Sequence, residues 1–244
     1  MEMRRFVILA APRSGSNLLC TLLQSHDQVL CHHELFNPGG IFVALPLRNT
    51  DFNLGTVSER DAEPHRFLQR VWAESPAASC VGFKMTHRQN ESILRAVCAD
   101  PGIHKIVLRR QARLKTYVSQ LLAERSGVWE DYRDVPPQRP LPVTVDYARL
   151  TQALAYNDEY YAELDQLIRG PRSDVDYEDL FDHPVQQQLL HDLKLPPQPL
   201  FAASRHQNPF PLSILIHNLD DLRRQLQRAP ADRSLLEELE RAAA

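Results

Sequence analysis

The sequence predicts an α/β fold of three layers, a central mostly parallel β-sheet flanked by helices. Two observations carry this. Several short apolar runs are continuous rather than alternating, as strands buried on both faces are. Between them lie segments whose apolar residues recur every three to four positions, the period of an amphipathic helix, so that strand and helix alternate along the chain.

"FVILAA" (6–11) is the first run and reads as a central strand. "PRSGSN" (12–17) follows as a tight turn, and a helix then opens near Leu18, with Ser16 or Asn17 as its cap and Leu18, Leu19, Leu22 and Leu23 as its inner face. "QVLC" (28–31), "CVGFKM" (80–85), "KIVLR" (105–109) and "DVDY" (174–177) are the remaining strand candidates. Helical spacing marks residues 88–99, 111–126, 148–168, 185–193 and 212–228. Residues 46–66 are polar and read as an inserted loop, and "DVPPQRPLPV" (134–143) carries four prolines that exclude regular structure. The whole of 1–244 reads as a single domain with variable loops at about 40–70 and 128–145.

Composition narrows the function classes. Lys and Arg number 28 against 31 Asp and Glu, a formal charge of −3, so nucleic acid is not an expected partner and any anion site is local. The four cysteines, at 20, 31, 80 and 98, include no C-x-x-C pair and read as reduced thiols. Cys31, His32 and His33 adjoin one another, but adjacent histidines rarely meet on one metal, so no metal site is expected. No stretch approaches the ~20 apolar residues of a membrane span, and the apolar run after "MEMRR" is shorter than a signal-peptide core, so the expected location is the cytoplasm.

The turn at 12–17 is the first chemical motif. A strand, a tight turn and a helix N-terminus direct backbone N–H groups and the helix dipole at one point, where an anion is held. Gly15 permits a close approach or a positive φ there. Ser14 and Ser16 add hydroxyls and Arg13 adds a charged fork. The nucleotide-kinase pattern G-x-x-x-x-G-K-[ST] is absent, since Asn17 stands where its Lys–Ser pair would lie. The loop therefore suits one phosphate-like group better than a magnesium triphosphate.

The second motif is "KIVLRRQARLKTYVSQLL" (105–122): Arg109 and Arg110 close a strand, and Ser119 lies on the next helix. Strand C-termini are where open α/β sheets place ligands. Together the two motifs resemble the sulfotransferase superfamily, whose donor is 3′-phosphoadenosine-5′-phosphosulfate. The "LRRxxxLxxxVS" form looks like the bacterial branch that includes trehalose and nodulation-factor sulfotransferases. The resemblance implies a P-loop-like sulfotransferase fold, a 5′-phosphosulfate site at Arg13, Ser14, Gly15, Ser16 and Asn17, and a 3′-phosphate site at Arg109 or Arg110 with Ser119. It also implies a base after the second strand, in "HHELFNP" (32–38), and a C-terminal segment like "RHQNPFPLSILIHNLDDL" (205–222).

The expected reaction is sulfuryl transfer to a hydroxyl of a carbohydrate, glycolipid or small metabolite by in-line attack. Glu34 is the expected general base, with His33 as its rival. An ion pair between Glu34 and Arg13 is the structural alternative. Lys84 would serve the leaving oxygen, His87 would line the acceptor site, and Arg205 would close over the 3′-phosphate or adenine. No metal is required, because the donor is a mixed anhydride with a good leaving group. A P-loop-type kinase and a non-catalytic nucleotide-binding protein are the competing readings. A homodimer is left open, through the amphipathic helix near the C-terminus.

Overall fold

The structure is a computed structural model that describes residues 3–75, 78–130, 132, 138–203 and 209–241. The chain divides into two compact units, residues 1–109 with 162–203, and residues 110–161 with 204–244.

The first unit holds the sheet. Strands β1 (Arg4–Ala10), β2 (Val29–Glu34), β3 (Cys80–Thr86), β4 (Ile103–Arg109) and β5 (Arg172–Asp176) lie in the order β2-β3-β1-β4-β5. Every neighbouring pair is parallel. The predicted strands are all present, with ends that differ from the expected ones by no more than three residues. From β1 the chain returns to the β2 side of the sheet, whereas from β4 it runs on to β5. The carboxyl ends of β1 and β4 therefore flank a topological switch point, the place where such sheets leave a crevice.

Side-chain alternation assigns the two faces. Phe6, Ile8, Ala10, Ile106, Leu108 and Val175 are buried on one face, under α1 (Ser16–Gln24) and α7 (His183–Asp192). Helix α1 supplies Leu18, Leu19, Leu22 and Leu23 to this core, the inner face expected of it. Its start differs from expectation. Gly15 is the N-cap, in the left-handed region at φ 90°, and the helix has no side-chain cap. Neither Ser16 nor Asn17 is spent on capping, because both are already inside the helix.

The segment 46–66 is not the loop that its composition suggests. It carries a 3-10 turn at Leu45–Leu47, helix α2 (Val57–Ala62) and the start of α3 (Pro64–Glu74). A capping box explains α2: Thr56 accepts from the Glu59 backbone N–H while the Glu59 carboxylate accepts from that of Thr56. The polar letters of that box read as loop in composition alone. Helix α4 (Glu91–Ala99) begins at an Asn90 cap that accepts from Ile93 N–H at 3.0 Å.

The second unit is helical. Helix α5 (Arg113–Ser126), most of α6 (Tyr147–Leu167), α8 (Leu212–Leu215), α9 (Leu219–Gln227) and α10 (Arg233–Arg241) surround a leucine-rich core. The predicted helix at 212–228 is two helices, because the chain straightens at Ile216 to pair with Val143: Val143 N–H donates to Leu215 O and His217 N–H to Val143 O, each at 2.8 Å. Helix α10 was not among the predicted elements. The apolar residues of α9 and α10, Leu222, Leu226, Leu235 and Leu239, are buried in this core. No helix among the described residues is long and apolar enough to cross a membrane.

Candidate active site

The turn between β1 and α1 is built from two left-handed residues, Arg13 at φ 63° and Gly15 at φ 90°. A non-glycine residue in that region costs roughly 1 kcal/mol or more, so the surrounding structure holds Arg13 there. Over Gly15 lies the ring of Tyr177, so close that a Cβ on Gly15 would come 2.1 Å from a ring carbon. Ser14 and Ser16 are buried beneath the turn. The first N–H groups of α1 have no partners within the helix and face the crevice end of the sheet.

Beside the turn is a buried polar cluster. Lys84 on β3 stands in register with Ile8 of β1, so its side chain rises on the α1 face. Its Nζ lies 2.7 Å from Glu34 Oε1 and 3.5 Å from Ser16 Oγ, and it donates to Asn17 Oδ1. Asn17 Oδ1 also lies 3.3 Å from His33 Nδ1. An amide oxygen only accepts, so His33 carries its proton on Nδ1. The second oxygen of Glu34 accepts from Asn37 Nδ2 at 2.5 Å and Gln89 Nε2 at 2.6 Å.

A β-bulge makes this convergence possible. Cys31 and His32 pair with Gly82 and Phe83, yet it is Glu34 that pairs with Lys84, which leaves His33 as the extra residue. In a regular strand His33 and Glu34 would point to opposite faces. The bulge brings both to Asn17 and Lys84, a use of bulges common beside functional sites. His32 is turned elsewhere, with Nε2 3.1 Å from Ser75 Oγ and Nδ1 accepting from Ala44 N–H. The adjacent histidines thus diverge. Glu34 is ion-paired with Lys84.

The electrostatics follow from the packing. Burial raises the Glu34 carboxyl, but the Lys84 charge and the hydrogen bonds from Lys84, Asn37 and Gln89 outweigh it and hold the group below its ordinary value. His33 is pushed down to about 2, first by burial and then by the charges of Lys84 and Arg48, so its imidazole is neutral. His87, lowered to about 4 by burial and by Arg88, is neutral as well.

No protein-family model matches the chain. The chain is 25% identical over 233 residues to nodulation protein H of Rhizobium meliloti strain 1021, covering 92% of each chain. A second R. meliloti nodulation protein H matches at 25% over 240 residues and 93% of each chain. The likeness to nodulation protein H runs along nearly the whole chain. Partial structural likeness extends to the sulfotransferase from Alicyclobacillus acidocaldarius (TM-score 0.47, 14% identity, 98% of this chain and 97% of that one). It extends also to a mouse sulfotransferase complexed with PAP (TM-score 0.44, 12% identity, 80% of this chain and 60% of that one).

Of the other residues expected to act, Arg109 ends β4 on the sheet face opposite α1. There its guanidinium lies 2.8 Å from Asp174 and 3.6 Å from Asp165. Arg110 and Ser119 belong to the second unit, where Ser119 is buried on α5. The start of α5 is occupied by Glu238 of α10, which accepts from the Leu114 and Lys115 backbone N–H groups at 2.9 and 2.8 Å. Arg205 lies outside the described residues. Sequence reading missed Asn37, Gln89, Tyr177 and Glu238. Asn37 had a signal, since an Asn-Pro-Gly-Gly turn directly follows "ELF". The others are joined to their partners only by the fold.

Proposed function

We propose that the chain transfers a sulfuryl group from 3′-phosphoadenosine-5′-phosphosulfate to a hydroxyl of a carbohydrate, glycolipid or small metabolite. The observation that carries the reading is the chain of contacts Glu34–Lys84–Asn17 beside the β1–α1 turn. It sets a carboxylate and an ammonium next to a helix N-terminus suited to an anion.

In this reading the amides of the turn, Ser14, Ser16 and Arg13 hold the sulfuryl oxygens and the 5′-phosphate. Lys84 stabilises charge on the bridging oxygen as the sulfur–oxygen bond to the phosphate breaks. Glu34 takes the proton of the attacking hydroxyl. Its depressed pKa keeps it ionised at neutral pH, and Lys84 moving toward the donor frees one of its oxygens for the acceptor. His33, kept neutral by burial and by the charges of Lys84 and Arg48, is assigned instead to orienting Asn17. The two carboxylates that engage Arg109 favour Arg110, with Ser119, as the 3′-phosphate ligand. His87 is assigned to the acceptor side and Arg205 to the nucleotide. The chemistry calls for no metal, since the donor is already activated.

Calorimetric titration with 3′-phosphoadenosine-5′-phosphate and with magnesium ATP tests the reading. Tight binding of the bisphosphate alone is expected, and the reverse preference would sink it. Glu34→Gln is expected to keep bisphosphate affinity within about twofold while lowering kcat about 100-fold or more.

A further inference from the structure

Arg60 is 1% exposed, among the most deeply buried large side chains of the first unit, and no chemistry described so far uses it. The two N–H bonds of its Nη1 are shared among three backbone carbonyls, Leu35 O at 2.9 Å, Asn37 O at 2.7 Å and Gly40 O at 2.9 Å, while its Nε pairs with Asp61 at 2.8 Å. A buried guanidinium is expensive unless fully satisfied, and three carbonyls turned to one point repel each other unless a cation sits there. Side chain and turn therefore require one another. The turn they form begins directly after Glu34. Within it Asn37 Oδ1 accepts from Gly39 N–H at 2.7 Å, which fixes the amide so that Nδ2 must face Glu34 Oε2. Phe42 N–H closes the turn by donating to the Glu34 carbonyl at 3.2 Å.

We propose that Arg60 is a positioning residue for the reaction: it clamps the Leu35–Gly40 turn so that Asn37 is held against the Glu34 carboxylate. The proposal rests on the reading of Glu34 as the base. It gives α2, in the polar segment 46–66, the task of fixing the acceptor-side carboxylate, which Lys84 from β3 and Gln89 from the β3–α4 connection hold from the other sides. Lys84 faces Glu34 directly and Arg60 lies behind the turn, while Arg48 is close enough to act with Lys84 on the neutral His33 beside it. Lysine is a poor substitute for Arg60. It is shorter, and it lacks the planar fork that engages carbonyls and Asp61 at once.

The test reads Glu34 itself. In protein carrying 13C-carboxyl glutamate, the Glu34 resonance is assigned by its loss in Glu34→Gln and titrated against pH. Arg60→Lys and Asn37→Ala are each expected to raise the Glu34 midpoint and to lower kcat about tenfold or more, with bisphosphate affinity unchanged. The double variant is expected to go no further than the worse single one, because both act through one contact. Asp61→Ala, at an exposed position, provides a milder loosening that folds where Arg60→Lys does not, with a smaller shift in the same direction. A Glu34 midpoint that moves in Asn37→Ala but stays put in the Arg60 and Asp61 variants overturns the proposal. Retained turnover in Glu34→Gln would instead overturn the base reading, and the titration would still decide whether Arg60 sets the carboxylate.

Discussion

Gly15 carries two constraints at once. Its φ of 90° lies where a side chain is strained, and the Tyr177 ring occupies the space a Cβ would need. The two act together, since the left-handed turn brings the α-carbon under the ring. Gly15→Ala is therefore expected to lower stability by about 2–4 kcal/mol, from left-handed strain added to overpacking, and to weaken bisphosphate binding at least tenfold. Thermal melting and calorimetry check both parts. Tyr177→Ala in the same chain relieves the overlap but not the strain, so it is expected to restore stability only partly. An alanine variant that melts and binds like its parent would show that the turn is adaptable and weaken its role as a preformed anion site. Glu34 shows the same economy at the level of charge. Its folded pKa lies below the ordinary 4.5, so its pairing stabilises the protein above that value and is lost as pH falls through the lower folded value.

Helix α4 carries the consequence from residue to element. It begins at Asn90, whose side chain accepts from Ile93 N–H, and the residue before that cap is Gln89, which donates to Glu34 while accepting from Thr86 N–H at 3.2 Å. Capping thus fixes the position of a site residue as well as a helix end. Asn90→Ala is expected to cost about 1 kcal/mol, a fall of roughly 2–4 °C in Tm. It should lower kcat by more than the same loss of stability introduced on the exposed face of α6, and equal effects on kcat would separate the cap from the site. This coupling also explains what was readable in advance. Four of the five strands showed as apolar runs, and the strand–turn–helix around Gly15 showed as spacing, because local sequence determines both. Glu34 and Lys84 were singled out as strand-end polar residues. Their pairing was not foreseeable, because it depends on a bulge at His33 and on β3, not β1, lying beside β2. Helix α2 was hidden because its capping box is polar, and the break at Ile216 because its cause, Val143, lies 73 residues away.

At the scale of the whole molecule, the two units each contain a half-buried carboxylate, and the two depend on pH in opposite ways. Glu34 in the first unit is held below its ordinary value by Lys84 and its hydrogen bonds, which outweigh burial. Glu238 in the second is raised, because burial outweighs the backbone N–H groups of Lys115 and Leu114 and the charge of Arg110. A carboxyl with a raised folded pKa contributes stability that is full below its unfolded value of 4.5 and is lost as pH rises through the folded one. At neutral pH the charged Glu238 is therefore a partly offset desolvation, kept because it closes the start of α5 from α10. Acidification from pH 7 toward 4.5 is expected to increase the stability of the parent protein relative to Glu238→Gln, which has no proton to gain. Urea unfolding of the pair across that range measures it. The parent's midpoint should rise steadily relative to that of Glu238→Gln as pH falls, and the parent compared with Glu34→Gln in the same way should show no such rise above 4.5. A difference that stays flat for Glu238→Gln would mean that solvent reaches this carboxylate and that the contact between α10 and α5 opens in solution.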